Sequence, residues 1–239
     1  MVPFATIRER AERRKGGADA LARILGPARS NAAVAKVGDD RILSTMAERV
    51  FAAGFVWRVI EQKWPGFEEA FLGFQPKALL FQPDEFWEDL AKDARIVRNP
   101  QKIRSVRDNA AFVARVSDEH GSFGAFVSAW PADDQVGLMA WLGKNGTRLG
   151  GNTGQYFLRW IGWDGFITSG DFVTCLRDAG LEIAESPSSK KDLAAIQAQV
   201  NAWADETGLC RTHIARICAL SVGENYDAET IIARARGGD

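Results

Sequence analysis

The stretch from Leu142 to Gly162 reads LGKNGTRLGGNTGQYFLRWIG. Within it, Gly150, Gly151, Asn152, Thr153 and Gly154 carry little side-chain bulk, and a helical pattern follows through Tyr156, Phe157, Trp160 and Ile161. This pattern predicts a tight turn leading into a helix whose first amides are uncapped. Those amides point outward at the positive end of the helix dipole, a neutral way to hold a phosphate. Glycines also let a sugar-phosphate backbone approach where a Cβ would otherwise stand. Lys144 and Arg148 flank the turn and add positive charge. Glycine turns between helices are also ordinary architecture, so phosphate binding and plain chain reversal both remain open at this point.

Other chemistries are poorly supplied. His120 and His213 are the only histidines, which argues against a histidine-based triad. Cys175, Cys210 and Cys218 form no disulfide framework, and reduced thiols in a cytoplasmic protein are expected. The spacing of Cys210, His213 and Cys218 does not put all three on one helix face, so no metal site is expected there. The formal net charge is −1, but it is unevenly distributed. Residues 1–36 hold eight basic against three acidic side chains, and residues 92–115 hold seven against two. Such segregation suits a phosphate-binding face on a nearly neutral protein. Solvated helix faces give the same pattern.

The elements that must position these groups read as helices. Apolar residues recur with helical spacing over Leu43–Glu61, Gln101–Val116 and Asp192–Thr207. For the last of these, Ser189 is the expected N-cap and Gly208 the expected stop. Trp64-Pro65-Gly66, Gln75-Pro76, Gln82-Pro83, Asn99-Pro100 and Trp130-Pro131 are expected to lie between helices. No alternating run suggests a sheet. The expected fold is all-α, about ten helices joined by short turns. The expected organisation is a basic helical extension over 1–36, a helical domain over 37–222 and a tail over 223–239 whose last dozen residues are frayed. No secretory pattern or apolar run of membrane-spanning length is found, so no membrane association is expected.

Four segments, Val50–Phe71, Lys92–Val113, Glu119–Trp130 and the glycine stretch itself, together resemble the 3-methyladenine DNA glycosylase I family within the helix-hairpin-helix superfamily. The resemblance spans roughly residues 38–175. Its specific part is Ala53-Gly54-Phe55-x-Trp57 combined with Ile96-Val97-Arg98-Asn99-x-x-Lys102-Ile103. It implies a monomeric protein that binds double-stranded DNA containing damaged bases, extrudes the damaged nucleotide and hydrolyses its glycosidic bond. It also implies roles for particular residues. Trp57 would stack on the extruded base, with Phe51 and Tyr156 as neighbours, while Arg98 and Lys102 would position phosphates. A carboxylate near the sugar would stabilise an oxocarbenium-like transition state. Asp171 lies 18 residues beyond Thr153 and resembles the superfamily's catalytic aspartate; it is equally suited to capping a helix. Glu48 is the second candidate.

The chain departs from the family in several places. Arg49 stands where the family has its pocket glutamate, and Glu48 is displaced by one residue, about 100° around a helix. The family's N-terminal zinc ligands have no counterpart, and its later His-x-x-x-Cys pair corresponds to Asp171 and Cys175. Three scattered cysteines also exclude an iron–sulfur loop. No cofactor is expected. Asn152 stands where strand-cleaving relatives carry a lysine amine, which implies a monofunctional enzyme. Two other readings stay open: a non-catalytic DNA-binding or damage-sensing protein that keeps the fold, and a helical interaction protein whose basic arm binds a partner.

Overall fold

A computed structural model describes residues 1–236, with side chains through Ala233. Among the described residues the regular elements are all helical. In chain order they begin with α1 (Phe4–Lys15), α2 (Ala18–Leu25), α3 (Asp39–Ala52), α4 (Trp57–Ala70) and α5 (Pro76–Leu80). They continue with α6 (Asp84–Leu90), α7 (Pro100–His120), α8 (Phe123–Ala129), α9 (Gln135–Asn145) and α10 (Gly151–Trp160). The last four are α11 (Gly170–Asp178), α12 (Lys190–Thr207), α13 (Arg211–Ser221) and α14 (Ala228–Arg236). No helix among the described residues is long and apolar enough to cross a membrane. Helix α14 occupies most of the stretch expected to fray; Gly237–Asp239, the rest of it, lie outside the described residues.

The chain divides into two compact units. One comprises Met1–Ser30, Asp133–Val136 and Asp164–Asp239; the other comprises Asn31–Ala132 and Gly137–Trp163. These units do not follow the boundaries at 36 and 222 read from charge and composition.

In the first unit, Phe4, Ile7, Phe172, Leu176, Val200, Trp203 and Ile214 build one apolar core. The basic N-terminal stretch is part of this unit. Arg14 donates to the Leu220 carbonyl in the last turn of α13 and to the Val222 and Gly223 carbonyls just past it, at 3.2, 3.1 and 2.6 Å. Lys15 donates to Asn225 Oδ1 and the Tyr226 carbonyl. Cations here satisfy carbonyls left over at a helix C-terminus. The other end of α13 is capped by Asp164, whose carboxylate accepts from the Arg211 and Thr212 amides. Ser189 and Gly208 bound α12 as the sequence predicts.

In the second unit, α7 packs against α3, α5 and α8. Asn99 caps it by accepting from the Lys102 amide, with Pro100 at its first helical position. The single helix expected over Leu43–Glu61 is two. Ala53 leaves helical dihedrals, Gly54 takes φ +76°, and α4 restarts at Trp57. A Cβ disfavours that left-handed conformation, so glycine ends α3 here. Pro65 and Gly66, expected in a connection, lie inside α4.

Helices α3 and α4 are tied by Glu68. Its carboxylate accepts from both Arg41 Nη atoms (2.8 and 2.9 Å), from Ser44 Oγ (2.8 Å) and from Trp64 Nε1 (3.2 Å). Burial pushes the Glu68 carboxyl up, but these donors outweigh it and hold it below the usual carboxylate range. A carboxyl depressed in the folded state contributes stability above its unfolded pKa of about 4.3 and loses it as pH falls through the folded value. Glu68→Gln should therefore lower the unfolding free energy by about 1–2 kcal/mol at pH 7. In urea denaturation, the gap to wild type should close as pH drops below about 4.3.

Candidate functional site

The reversal before α10 falls one step earlier than the glycine run. Residues 146–150 make the turn, and Gly151–Gly154 form the first turn of α10. Asn109, almost fully buried on α7, braces this corner from below. Its Oδ1 accepts from the Thr147 amide at 2.8 Å, and its Nδ2 donates to the Thr147 carbonyl at 3.0 Å. Arg148 holds a left-handed φ of +63° and donates to Gln101 at 2.6 Å. Gly150 precedes the helix with no side-chain cap, so the first amides of α10 have no capping side chain. Gly150, Gly151 and Asn152 are exposed, Thr153 is half-buried and Gly154 is buried. Gly154 serves packing: a Cβ there would stand 2.5 Å from the Leu149 carbonyl oxygen. Lys144 is exposed beside the corner.

Helices α3, α4 and α10 bring a second group together. The guanidinium of Arg49 lies over the Trp57 ring at 4.7 Å and over the Trp160 ring at 4.3 Å, the two rings being 5.6 Å apart and tilted by 48°. It is a planar cation seated in a notch of two π faces. Arg49 is only 9% exposed. Glu48 Oε1 comes within 2.8 Å of Arg49 Nη2, close enough for a strong ion pair but off the direction of an N–H bond. Consequently Nε and Nη2 of Arg49 are buried without a hydrogen-bond acceptor, as is Nε1 of Trp57. Burial pushes the Glu48 carboxyl above the usual carboxylate range, against the pull of Arg49. Burial also lowers the Arg49 pKa, with Glu48 and Tyr156 opposing it. Tyr156 and Trp160 are both substantially exposed.

Of the residues singled out from sequence, Glu48, Trp57 and Tyr156 thus converge in this unit. Phe51 does not join them. It is fully buried and packs edge-on against Phe67 at 4.7 Å, a core residue rather than a surface for a base. Lys102, expected to reach phosphate, is 6% exposed. Its ammonium donates to the Phe51 and Ala53 carbonyls at 3.0 and 2.7 Å, because the break after α3 leaves those carbonyls without helical partners. Arg98 is exposed. Asp171 belongs to the other unit, in the first turn of α11. Ser169 precedes that helix in the cap position, and the Asp171 carboxylate lies over the Gly223 backbone with the Lys15 charge nearby. Two contributors were missed, Arg49 and Trp160. Both left a signal. Arg49 falls on the apolar stripe of α3 between Met46 and Val50, and Trp160 sits four residues after Tyr156.

A buried ion pair under an aromatic notch, beside a helix that opens on glycines, marks a polar site within a unit whose described regular elements are all helical. Residues 33–139 match the methyladenine glycosylase family model. The segment includes Glu48, Arg49 and Trp57. No curated protein matches the chain. Among solved structures, a variant of 3-methyladenine DNA glycosylase I from Staphylococcus aureus is similar over 53% of this chain and 78% of its own, with 21% identity and a TM-score of 0.47. A second structure of that Staphylococcus aureus enzyme, described as showing the basis of 3-methyladenine recognition, covers 64% and 85% with 20% identity and a TM-score of 0.47. A complex of 3-methyladenine DNA glycosylase I with 3-methyladenine covers 64% and 86% with 19% identity and a TM-score of 0.48.

The packing of Gly154 is directly testable. Gly154→Ala gains helix propensity, but its methyl group must push aside backbone rather than a pliable side chain. The variant should be less stable by about 1–3 kcal/mol in urea denaturation.

Proposed function

We propose that the protein is a monofunctional DNA glycosylase, acting on an alkylated purine in duplex DNA and leaving an abasic site. The observation that carries the reading is the Glu48–Arg49 pair beneath Trp57 and Trp160, within the segment that matches the methyladenine glycosylase family. Hydrolysis of a glycosidic bond builds positive charge on the sugar, and a carboxylate in a partly dry site stabilises it far more than one in water. Glu48 is such a carboxylate. An extruded base needs an aromatic face, and Trp57 with Trp160 would offer one once the Arg49 guanidinium moves aside. The α9–α10 corner supports the same reading as a helix-hairpin-helix: its exposed Gly150, Gly151 and Asn152 and the uncapped first amides of α10 suit a DNA phosphate, with Lys144 and Arg148 alongside. Asn152 offers no amine, so no Schiff base forms and the strand stays intact.

One observation favours a second reading, a damage-binding protein without chemistry: the Arg49 guanidinium rests on the indole faces where a base would stack.

Base release from methylated duplex DNA separates the two readings. Wild-type protein should release purines with no borohydride-trapped adduct. Glu48→Gln should lose about 100-fold in rate while still binding DNA. Because the carboxylate works ionised and its pKa is raised, the wild-type rate should fall as pH drops through a value above the ordinary glutamate range. Asp171→Asn is the comparison. If that variant loses release and Glu48→Gln does not, the role passes to Asp171. No release from any methylated duplex, with binding intact, favours the damage-binding protein.

A further inference from the structure

Arg49 carries the feature that hydrolysis alone does not explain. Its guanidinium is more than nine-tenths buried and covers the faces of two indoles, while Nε and Nη2, which form one edge of the planar group, make no aligned hydrogen bond, Nη2 being held only by the ion pair with Glu48 at 2.8 Å. Unmet donors in a dry site are costly unless a ligand completes them. Two parallel N–H groups on one guanidinium edge match two adjacent acceptors in one plane, the arrangement of O6 and N7 on a 6-oxopurine. A permanently cationic base fits badly. It would compete with Arg49 for the same π faces and the same counter-charge, Glu48, and it would be repelled at close range.

We infer that Arg49 is the specificity-determining residue of this site, selecting an uncharged alkylated 6-oxopurine through its O6/N7 edge and rejecting cationic alkylated purines. The inference rests on the glycosylase reading for its context, and it refines the class of base. To engage, the guanidinium leaves the indole faces and follows the base edge, so that the purine stacks where the cation had been. The same contact serves the chemistry. The C1′–N9 bond pair departs with the base, a water oxygen bonds to C1′, and one water proton ends on the base. Donors on O6 and N7 stabilise the negative charge that an uncharged leaving group develops.

A matched pair of nucleosides tests this without requiring turnover. 1-Methylguanosine is uncharged with O6 and N7 free; 1-methyladenosine carries the same methyl group and is cationic at neutral pH. Titrating each into the full-length protein, followed by the indole N–H NMR signals of Trp57 and Trp160, should show 1-methylguanosine binding at least tenfold more tightly. Arg49→Glu should reverse the order. Arg49→Lys keeps the charge but not the paired donors, so it should still reject 1-methyladenosine and lose most affinity for 1-methylguanosine; its circular dichroism reports whether it is folded. Equal binding of the two nucleosides, preference for the cation, no binding of either, or an unchanged order in a folded Arg49→Lys protein would overturn the inference. Base release from duplexes bearing each lesion is read separately. Selective nucleoside binding without release sinks the glycosylase reading alone, whereas faster release of cationic bases sinks this one alone.

Discussion

A guanidinium taken out of water must be compensated by its surroundings, and in the second unit two rings and a carboxylate around Arg49 answer part of that requirement. Two electron-rich rings face it and a carboxylate lies against it. Neither ring lies on the helix that carries the arginine: Trp57 opens α4 and Trp160 closes α10. Three helices must therefore meet at one depth, and the rest of the unit supplies that meeting point. Glu68 ties α3 to α4 through Arg41 and Ser44. The break at Gly54 turns the chain so that Trp57 comes back over Arg49.

The same break explains why one strongly basic segment does not present all its charge to solvent. Ending α3 at Ala52 leaves carbonyls with no amide partner, and the Lys102 ammonium fills that need from α7. Arg14 and Lys15 do likewise beyond α13. A count of positive residues along the chain thus overstates the charge available to a phosphate. What remains near the α9–α10 corner is Lys144, Arg148 and the first amides of α10. Asn109 sets the shape of that corner from beneath through the Thr147 backbone.

The charge of the site follows from one position. A residue with a negative side chain at 49 would leave the indole notch free for a cation; with arginine there, the notch already holds one. Glu48 keeps a carboxylate in the neighbourhood but in partnership with that arginine, and the two shift each other's proton affinity in opposite directions from what burial imposes.

Much of this is legible in the amino-acid sequence. Helical spacing of apolar residues predicts an all-α protein, Ser189 and Gly208 mark α12, Asn99-Pro100 marks the start of α7, and the Ala-Gly-x-x-Trp and Arg-Asn-x-x-Lys segments point to the methyladenine glycosylase family. These signals are local, because caps, periodicity and short motifs act within a few residues of themselves. Which of the aromatic and charged residues would meet is a long-range matter. Phe51 and Trp57 are near neighbours in sequence, yet one is sealed in the core and the other shares a notch with a residue more than a hundred positions away. Lys102 and Arg98 lie on one short segment, and only the packing of α7 against the end of α3 takes Lys102 out of solvent. The amino-acid order by itself determined the helical class, the ends of α12 and the start of α7, and the resemblance to a family. Tertiary packing decided which side chains share a site, because burial and counter-charge depend on distances between helices that no local pattern specifies.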